Sequence, residues 1–262
     1  MALMTKNYTL GKGRVYFDAF AQGTLNPQGE RYFGDTMEFN LTSESESLDH
    51  FDNDAGIRVK DASVLLELTR TGTLITENIS PENMALFFLG SASALSQAAA
   101  TAQTSTYATV KKGYFYQTGV SPTRPEGVRK IANVTVEPAG GGTAYVLDTD
   151  YRVDLDTGRI EILETGAIVE ATGIDINYDV TAATFTRIVT AADAEIKGAV
   201  RFISTNPQGE KFDYYLPYVT LRPNGDFALK SGEEWQQLGF TLEVLKKDDN
   251  TEAMYINGRP AP

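Results

Sequence analysis

The chain has 262 residues, a formal net charge of −12, one histidine and no cysteine. This composition excludes disulfides, cysteine zinc sites, thiol nucleophiles and metal sites built from several histidines. No segment approaches about 20 uninterrupted apolar residues and the first residues lack a signal-peptide pattern, so we expect no membrane contact and folding in a cytoplasm. Such acidity also disfavours a protein that grips DNA phosphates.

The chain begins with a polar segment, residues 1–12, which we predict to be an arm. A strand is predicted over 14–21. The turn after it contains Asn26-Pro27-Gln28-Gly29, in which proline fixes one backbone angle and glycine permits positive φ. A second strand is predicted over 32–41.

A long hairpin with a charged loop follows. The segments MEFNLT and VLLELT alternate apolar and polar residues, which predicts half-buried strands over 32–41 and 57–70. The segment 42–56 between them is predicted to be a loop, because each buried unpaired charge costs several kcal/mol. It must therefore project into water or onto a partner. Its charged or titratable residues are Glu44, Glu46, Asp49, His50, Asp52 and Asp54.

A short helix is predicted over 80–90. Ser80 can cap it, Pro81 suits its first position, and Gly90 can end it in a left-handed conformation. Its apolar residues include Met84, Phe87 and Phe88. A helix this apolar must be covered by its own sheet or by another subunit.

The middle of the chain has a different composition. Residues 91–105 are mostly small, which suggests a linker or a loosely packed helical tail. Residues 105–190 give short strand signals and are predicted to form a β domain inserted on the exterior. The clearest signal is a hairpin with its turn at residues 156–158, and 173–188 adds another strand or two.

A turn sequence then recurs. Residues 206–211 (NPQGEK) repeat residues 26–31 (NPQGER), between strands predicted over 198–205 and 212–221, and a third strand is predicted over 235–245. Two related β-meanders would form the two halves of one sandwich or barrel, with chance recurrence of a favourable turn as the alternative. The segment 248–262 is predicted to be an arm that can add to a neighbour's sheet edge.

Candidate sites for chemistry are weak. Two calcium-like fragments, 52–56 and 154–158, each place two carboxylates before a glycine, but Ser63 and Thr165 stand where the twelve-residue loop requires glutamate, so we favour turns. His50 has no nucleophile motif near it. No acid pair is singled out for glycoside hydrolysis, and Trp235 and Tyr214-Tyr215 are interpreted as core aromatics. We predict no enzyme, catalytic residue, metal or cofactor.

The predicted fold is mainly β. Two packed antiparallel sheets or a flattened barrel would use residues 13–104 and 191–247, with the short helix on the flank, the inserted domain at 105–190 and arms at 1–12 and 248–262.

The meander, the acidic segment SESESLDHFDNDAG, the strand VLLELTRTG and the helix SPENMALFFLG together resemble the tail tube protein of long-tailed bacteriophages. The resemblance is best over 13–90 and looser over 195–247. It implies a virion tail protein, assembled in the host cytoplasm, that forms hexameric rings stacked into a tube. Its implied partners are further copies of itself, tape-measure and tail terminator proteins, and double-stranded DNA that passes through the lumen without specific binding.

Within this resemblance, the segment 42–56 would bridge to the adjacent ring. The helix residues Met84, Phe87 and Phe88 would support the boundary between subunits. An acidic lumen would let DNA slide, since lysine and arginine would hold it. The alternatives are a carbohydrate- or surface-binding β-sandwich that does not polymerise, and the tube of a contractile secretion device, which conducts proteins.

Overall fold

A computed structural model describes residues 8–52, 54, 56–190 and 195–259. The fold is mainly β with antiparallel sheets and one short helix among these residues, which confirms the predicted fold class. The chain divides into a main unit, Met1–Ala92 with Ile188–Pro262, and a second unit, Ser93–Arg187. None of the described helical segments has the length and apolarity that crossing a bilayer requires.

The elements in chain order are β1 (Gly13–Ala19), β2 (Arg31–Tyr32), β3 (Thr36–Asp52), β4 (Val59–Thr76), α1 (Pro81–Phe87), β5 (Ser91–Gln97), β6 (Ala100–Tyr107), β7 (Phe115–Gln117), β8 (Ile131–Pro138), β9 (Tyr151–Asp154), β10 (Arg159–Ile162), β11 (Ile174–Val180), β12 (Ala183–Val189), β13 (Ile196–Ser204), β14 (Phe212–Pro223), β15 (Leu238–Val244) and β16 (Tyr255–Gly258).

The main unit is built on one antiparallel sheet in the order β2-β1-β13-β14-β15-β4-β3, with β16 added to the first half of β14. The sheet curls strongly: β14, β15 and β4 lie between β13 and β3 in the strand order, yet the ring centroids of Phe39 of β3 and Phe202 of β13 are only 6.0 Å apart. No barrel closes among the described strands. The sheet therefore wraps around its own core.

Alternating residues of this sheet form the main core. Phe33 contacts Phe17 and Phe240 edge to face, with ring centroids 6.3 and 5.4 Å away, and Leu74 of β4 is buried in the same cluster. Helix α1 closes one side through Phe87, whose ring lies 6.0 Å from that of Phe240. The apolar helix is thus covered by its own sheet, one of the two predicted options.

The second unit is a small sandwich of two three-stranded sheets, β7-β10-β9 and β6-β11-β8. Its core comes from alternating isoleucines on β10 and β11, which include Ile160 and Ile174. The predicted hairpin is present as β9 and β10, which pair antiparallel around the turn at residues 155–158. A two-stranded sheet of β5 and β12 accompanies these two sheets.

The prediction of a linker or helical tail over 91–105 is wrong. Residues 91–97 form β5, and residues 100–107 form β6, which pairs with β11. The small residues suit a strand because their hydroxyls bond across the ladder: Thr104 donates to Asn177 and Thr106 to Asp175. β-branched threonine also favours strands.

The end of α1 also differs from its prediction. Ser80 caps the helix as expected, accepting a hydrogen bond from the Asn83 N–H, but the left-handed residue is Leu89, with φ 51°, and not Gly90. The Leu89 N–H bonds the Leu86 carbonyl and the Gly90 N–H bonds the Ala85 carbonyl, which is a Schellman ending. Gly90 serves close packing instead, since a Cβ there would collide with the Val189 carbonyl oxygen.

Three further expectations for the main unit are corrected. The strands β13, β14 and β15 form the predicted meander, but β3 does not pair with β2 and lies at the other end of the sheet. The segment expected to reach a neighbour supplies β16, which pairs with β14 of its own sheet. Trp235 precedes β15 and is exposed, not core.

Candidate assembly interface

The acidic segment is not a loop. Glu44, Glu46, Asp49, His50 and Asp52 all lie within β3, which pairs with β4 along its whole length. The predicted loop over 42–56 is therefore wrong. These charges do stay out of the core, as that prediction assumed. They can do so in a strand, because a strand exposed on both faces leaves its carboxylates in water while its backbone groups pair with β4.

We call residues 43–52 and 59–70 the ribbon. They extend beyond the neighbouring strand β15, whose last partner on β4 is Arg70, and form a two-stranded projection about 33 Å long at about 3.3 Å per residue. An isolated two-stranded ribbon is marginally stable at best in water. The ribbon is continuous with the sheet, which supports only its base.

One face of the ribbon continues the core face of the sheet. Residues directly opposite in an antiparallel pair share a face. The pair Phe39–Leu74 lies in the core, and the same face continues outward through Ser45–Leu68 and Ser47–Leu65. Leu68 is 45% exposed and Leu65 is 59% exposed. Apolar side chains therefore recur on this face of β4 beyond Arg70, where β15 no longer lies alongside.

The opposite face begins acidic and becomes apolar toward the tip. Glu46 stands directly opposite Glu67, and Glu44 lies two residues away on the same face. None of these three carboxylates forms a salt bridge with another described residue, although the Thr69 hydroxyl donates to Glu67. Like charges directly opposite are unfavourable. Beyond them lie the exposed side chains of Leu48 and Val64.

Side chains near the tip bond across the two strands. Asp49 lies 2.6 Å from the Lys60 ammonium and accepts the Ser63 hydroxyl, and these hydrogen bonds lower the pKa of the Asp49 carboxyl. His50 Nδ1 lies 2.6 Å from Asp61 Oδ1. These bonds hold the outer ribbon in register without burying it.

The turn itself carries Asp54, whose N–H donates to the Asp52 carboxylate. The calcium-like fragment at 52–56 falls here, but Asn53 and Ala55 lie outside the described residues. In the other fragment, the Asp154 carboxylate accepts bonds from Asp156 N–H, Thr157 N–H and the Thr157 hydroxyl. That fragment is a hydrogen-bonded turn.

An apolar cavity of about 260 Å³ opens where the ribbon meets the sheet. Its lining residues are Phe39, Leu41, Phe202 and Tyr214. Leu41 is the first residue of this face to be exposed on the way from the core to the ribbon. On this face the pair Ser43–Arg70 separates the cavity from the leucines of the ribbon.

The helix predicted to support the subunit boundary exposes less apolar surface than expected. Phe87 is buried in the main core, so it has little surface to offer a neighbouring copy. Met84 and Phe88 are partly buried against the same cluster. Phe88 also contacts Phe227 edge to face, with 5.8 Å between ring centroids. Met84 and Phe88 are therefore the two predicted helix residues with more than marginal exposed surface.

The two edges of the main sheet are unequal. The strand β3 is one edge over its whole length, while β2, at the other edge, covers only two residues of β1. Long unpaired edges present backbone donors and acceptors to other chains. Both edges are therefore available for strand pairing between copies.

Sequence reasoning missed the apolar residues of the ribbon. It interpreted VLLELT as half-buried, but Val64, Leu65, Leu66 and Leu68 are all exposed. The run of three consecutive apolar residues at 64–66 was a signal, because strict alternation fails there. The structure places a β-bulge at this point, between the pairs Glu46–Glu67 and Ser47–Leu65.

The described residues thus define a mainly β protein that carries an uncovered ribbon of apolar and acidic side chains. The family described as Protein of unknown function UCP028589 matches residues 8–255, and the chain belongs to this family. No curated protein matches the sequence.

Proposed function

We propose that the protein is a structural subunit that polymerises through the ribbon, as the tail tube protein of a long-tailed bacteriophage. Hexameric rings would stack into the virion tail tube, and the ribbon of each subunit would bridge to the adjacent ring. The hexameric number and the virion setting come from the sequence resemblance. The observation that carries the proposal is the uncovered continuation of the core face along the ribbon.

The free energy of burial supports this proposal. Complete burial of an aliphatic side chain is worth about 1.5–3 kcal/mol. Leu65, Leu66 and Leu68 are 45–60% exposed and would each gain part of this in a contact. A second copy is a fitting partner because every copy presents both an apolar ribbon and an apolar cavity at the ribbon's base.

The edges and charge of the chain are consistent with a tube. Ring closure would pair β3 of one copy with the β1–β2 edge of the next, which removes edges that otherwise invite uncontrolled aggregation. With a net charge of −12, a lumen of such subunits would repel duplex DNA and let it pass. No chemical step is required of the protein.

The proposal is tested by negative-stain electron microscopy of the purified protein over a range of concentrations, with light scattering on the same samples. We expect rings or hollow tubes of uniform diameter above a threshold concentration. A compact monomer at every concentration would overturn the proposal.

A second candidate function is carbohydrate binding, favoured by one observation. The exposed rings of Trp235 and Tyr32 line the same cleft, together with Asp35 and Glu77. Aromatic faces and carboxylates are suited to stacking on a sugar and bonding its hydroxyls. Screening of the monomer on a glycan array tests this candidate, which predicts binding that Trp235→Ala abolishes.

A further inference from the structure

An open cleft of about 780 Å³ lies at the end of the β3–β4 hairpin opposite to the ribbon tip. It is formed by the residues just before β3, just after β4 and just before β15. We call it the end cleft. The lining side chains that matter here are Tyr32, Asp35, Glu77, Glu234 and Trp235.

Hydrogen bonds hold the backbone on one side of the end cleft, next to Asp35 and Asn78. The buried Thr76 hydroxyl donates to the Asp35 carbonyl at 2.6 Å, and the Glu77 N–H donates to the same carbonyl at 3.1 Å. The fully buried Asn83 amide donates to the carbonyls of Phe33 and Asn78, both at 2.8 Å. Asp35 and Glu77 therefore stand on backbone that is already held in place, which reduces the entropy lost on binding.

The chemistry of the end cleft suits a cation with an apolar neighbour. Trp235, the one tryptophan of the chain, is 84% exposed. Asp35, Glu77 and Glu234 make no salt bridge with any other described residue. An arginine side chain suits both the carboxylates and the tryptophan, because its guanidinium pairs with carboxylates and also stacks on aromatic faces.

The ribbon tip presents an arginine side chain, that of Arg58. The other basic groups near it have partners, since Lys60 pairs with Asp49 and His50 bonds Asp61. Arg58 is exposed, forms no salt bridge within the described part of the chain and lies over the Phe51 ring at 5.0 Å. Its neighbour Ile57 is 80% exposed.

The tip and the end cleft lie at opposite ends of the same two strands. The strand β4 has 18 residues, so they are separated by about 60 Å along the strand direction. A second copy displaced along this direction brings its tip toward the cleft of the first. Such a contact is heterologous, uses different surfaces on the two copies and therefore repeats without limit.

We propose that the end cleft is the receiving site for the ribbon tip of a second copy, with Arg58 set among the carboxylates and Ile57 against Trp235. This inference rests on the proposed function and names the surface that the ribbon meets. The tip also carries Asp52 and Asp54, so the contact depends on local pairing of Arg58 and on burial of Trp235, not on net charge.

A charge exchange between the two sites tests the pairing. The critical concentration for polymerisation is measured by light scattering for the wild type, Arg58→Glu, Glu234→Arg and the double variant. Each single change replaces an attraction with a repulsion and is expected to raise the critical concentration about tenfold. The double variant is expected to restore it to within about threefold of the wild type.

Matched controls separate this pairing from general charge effects. Lys211→Glu makes the same charge change at an exposed lysine outside both sites and is expected to leave the critical concentration unchanged. Trp235→Ala is expected to raise it. If Arg58→Glu polymerises like the wild type, or if the double variant is no better than the single ones, the receiving site is wrong while the proposed function stands.

Failure of the wild type to polymerise at any concentration overturns both proposals. Glycan binding by the monomer that Trp235→Ala abolishes, with polymerisation unchanged, overturns the receiving site and assigns the end cleft to a sugar.

Discussion

The inner and outer halves of the β3–β4 hairpin both carry leucines on the same face of β4, but those leucines lie in opposite environments. In the inner half, β15 covers one side of β4, and Leu74 is 1% exposed. In the outer half the neighbouring strand has ended, and Leu65 on the same face is 59% exposed. The exposure of these leucines differs because β15 lies beside the inner half of β4 and not beside the outer half. The inner leucine therefore stabilises the monomer, while the outer leucine is free to contact another copy.

The largest expected effect is on the free energy of unfolding, and it distinguishes Leu74 from Leu65. Leu74→Ala removes buried methyl groups from the core and is expected to lower the free energy of unfolding by about 2–5 kcal/mol. Leu65→Ala makes the same change on the exposed ribbon and is expected to lower it by less than about 0.5 kcal/mol. Urea unfolding, below the concentration at which polymers form, measures both. Equal losses would show that the ribbon is covered within the monomer.

A smaller effect is expected from the like-charge pair on the ribbon. Glu67→Lys places a lysine opposite Glu46 and is expected to stabilise the ribbon locally by about 0.2–1 kcal/mol. Hydrogen exchange of amides 44–69 should slow, while amides of the inner half stay unchanged. Glu210→Lys, the same change at an exposed acid outside the ribbon, is the control. Slower exchange in that control as well would indicate a general charge effect.

The smallest effect concerns pH. Hydrogen bonds from Lys60 and Ser63 lower the pKa of Asp49, so its carboxylate stabilises the ribbon above the pKa of an unfolded aspartate, about 3.9. This stabilisation is lost as pH falls through the lowered pKa. Protection factors of ribbon amides are expected to decrease over that range in the wild type but not in Asp49→Asn. An identical acid response in both proteins would show that Asp49 does not stabilise the ribbon.

Much of this architecture was predictable from local sequence. The hairpin of β9 and β10 and the start of α1 follow from turn and capping residues, because these signals act within a few positions. The run 64–66 signals an irregularity in the strand, but the exposure of Leu65 was not predictable, since the sequence does not show whether another strand lies alongside. The pairing of β3 with β4 was predicted, but the placement of β2 and β3 at opposite ends of the sheet depends on long-range pairing that no local pattern specifies.

The assembly surface was predictable only in part. The charge of the segment 42–56 correctly indicated that it stays out of the core, but its strand conformation depends on register with β4. Trp235 was interpreted as a core aromatic because such residues usually alternate in strands. It lies in the segment before β15, and its exposure is visible only once the cleft around it is known.

The most direct test of the central claim is to remove the ribbon and keep the sheet. Residues 45–68 are replaced by Asn-Gly, a pair suited to a tight hairpin turn, and wild type and variant are compared by sedimentation velocity over the same concentrations. We predict that the wild type forms large uniform particles, while the variant sediments as monomers or at most single rings and unfolds with a similar midpoint. Stacked particles of wild-type size formed by the shortened protein would contradict the claim that the ribbon joins successive copies.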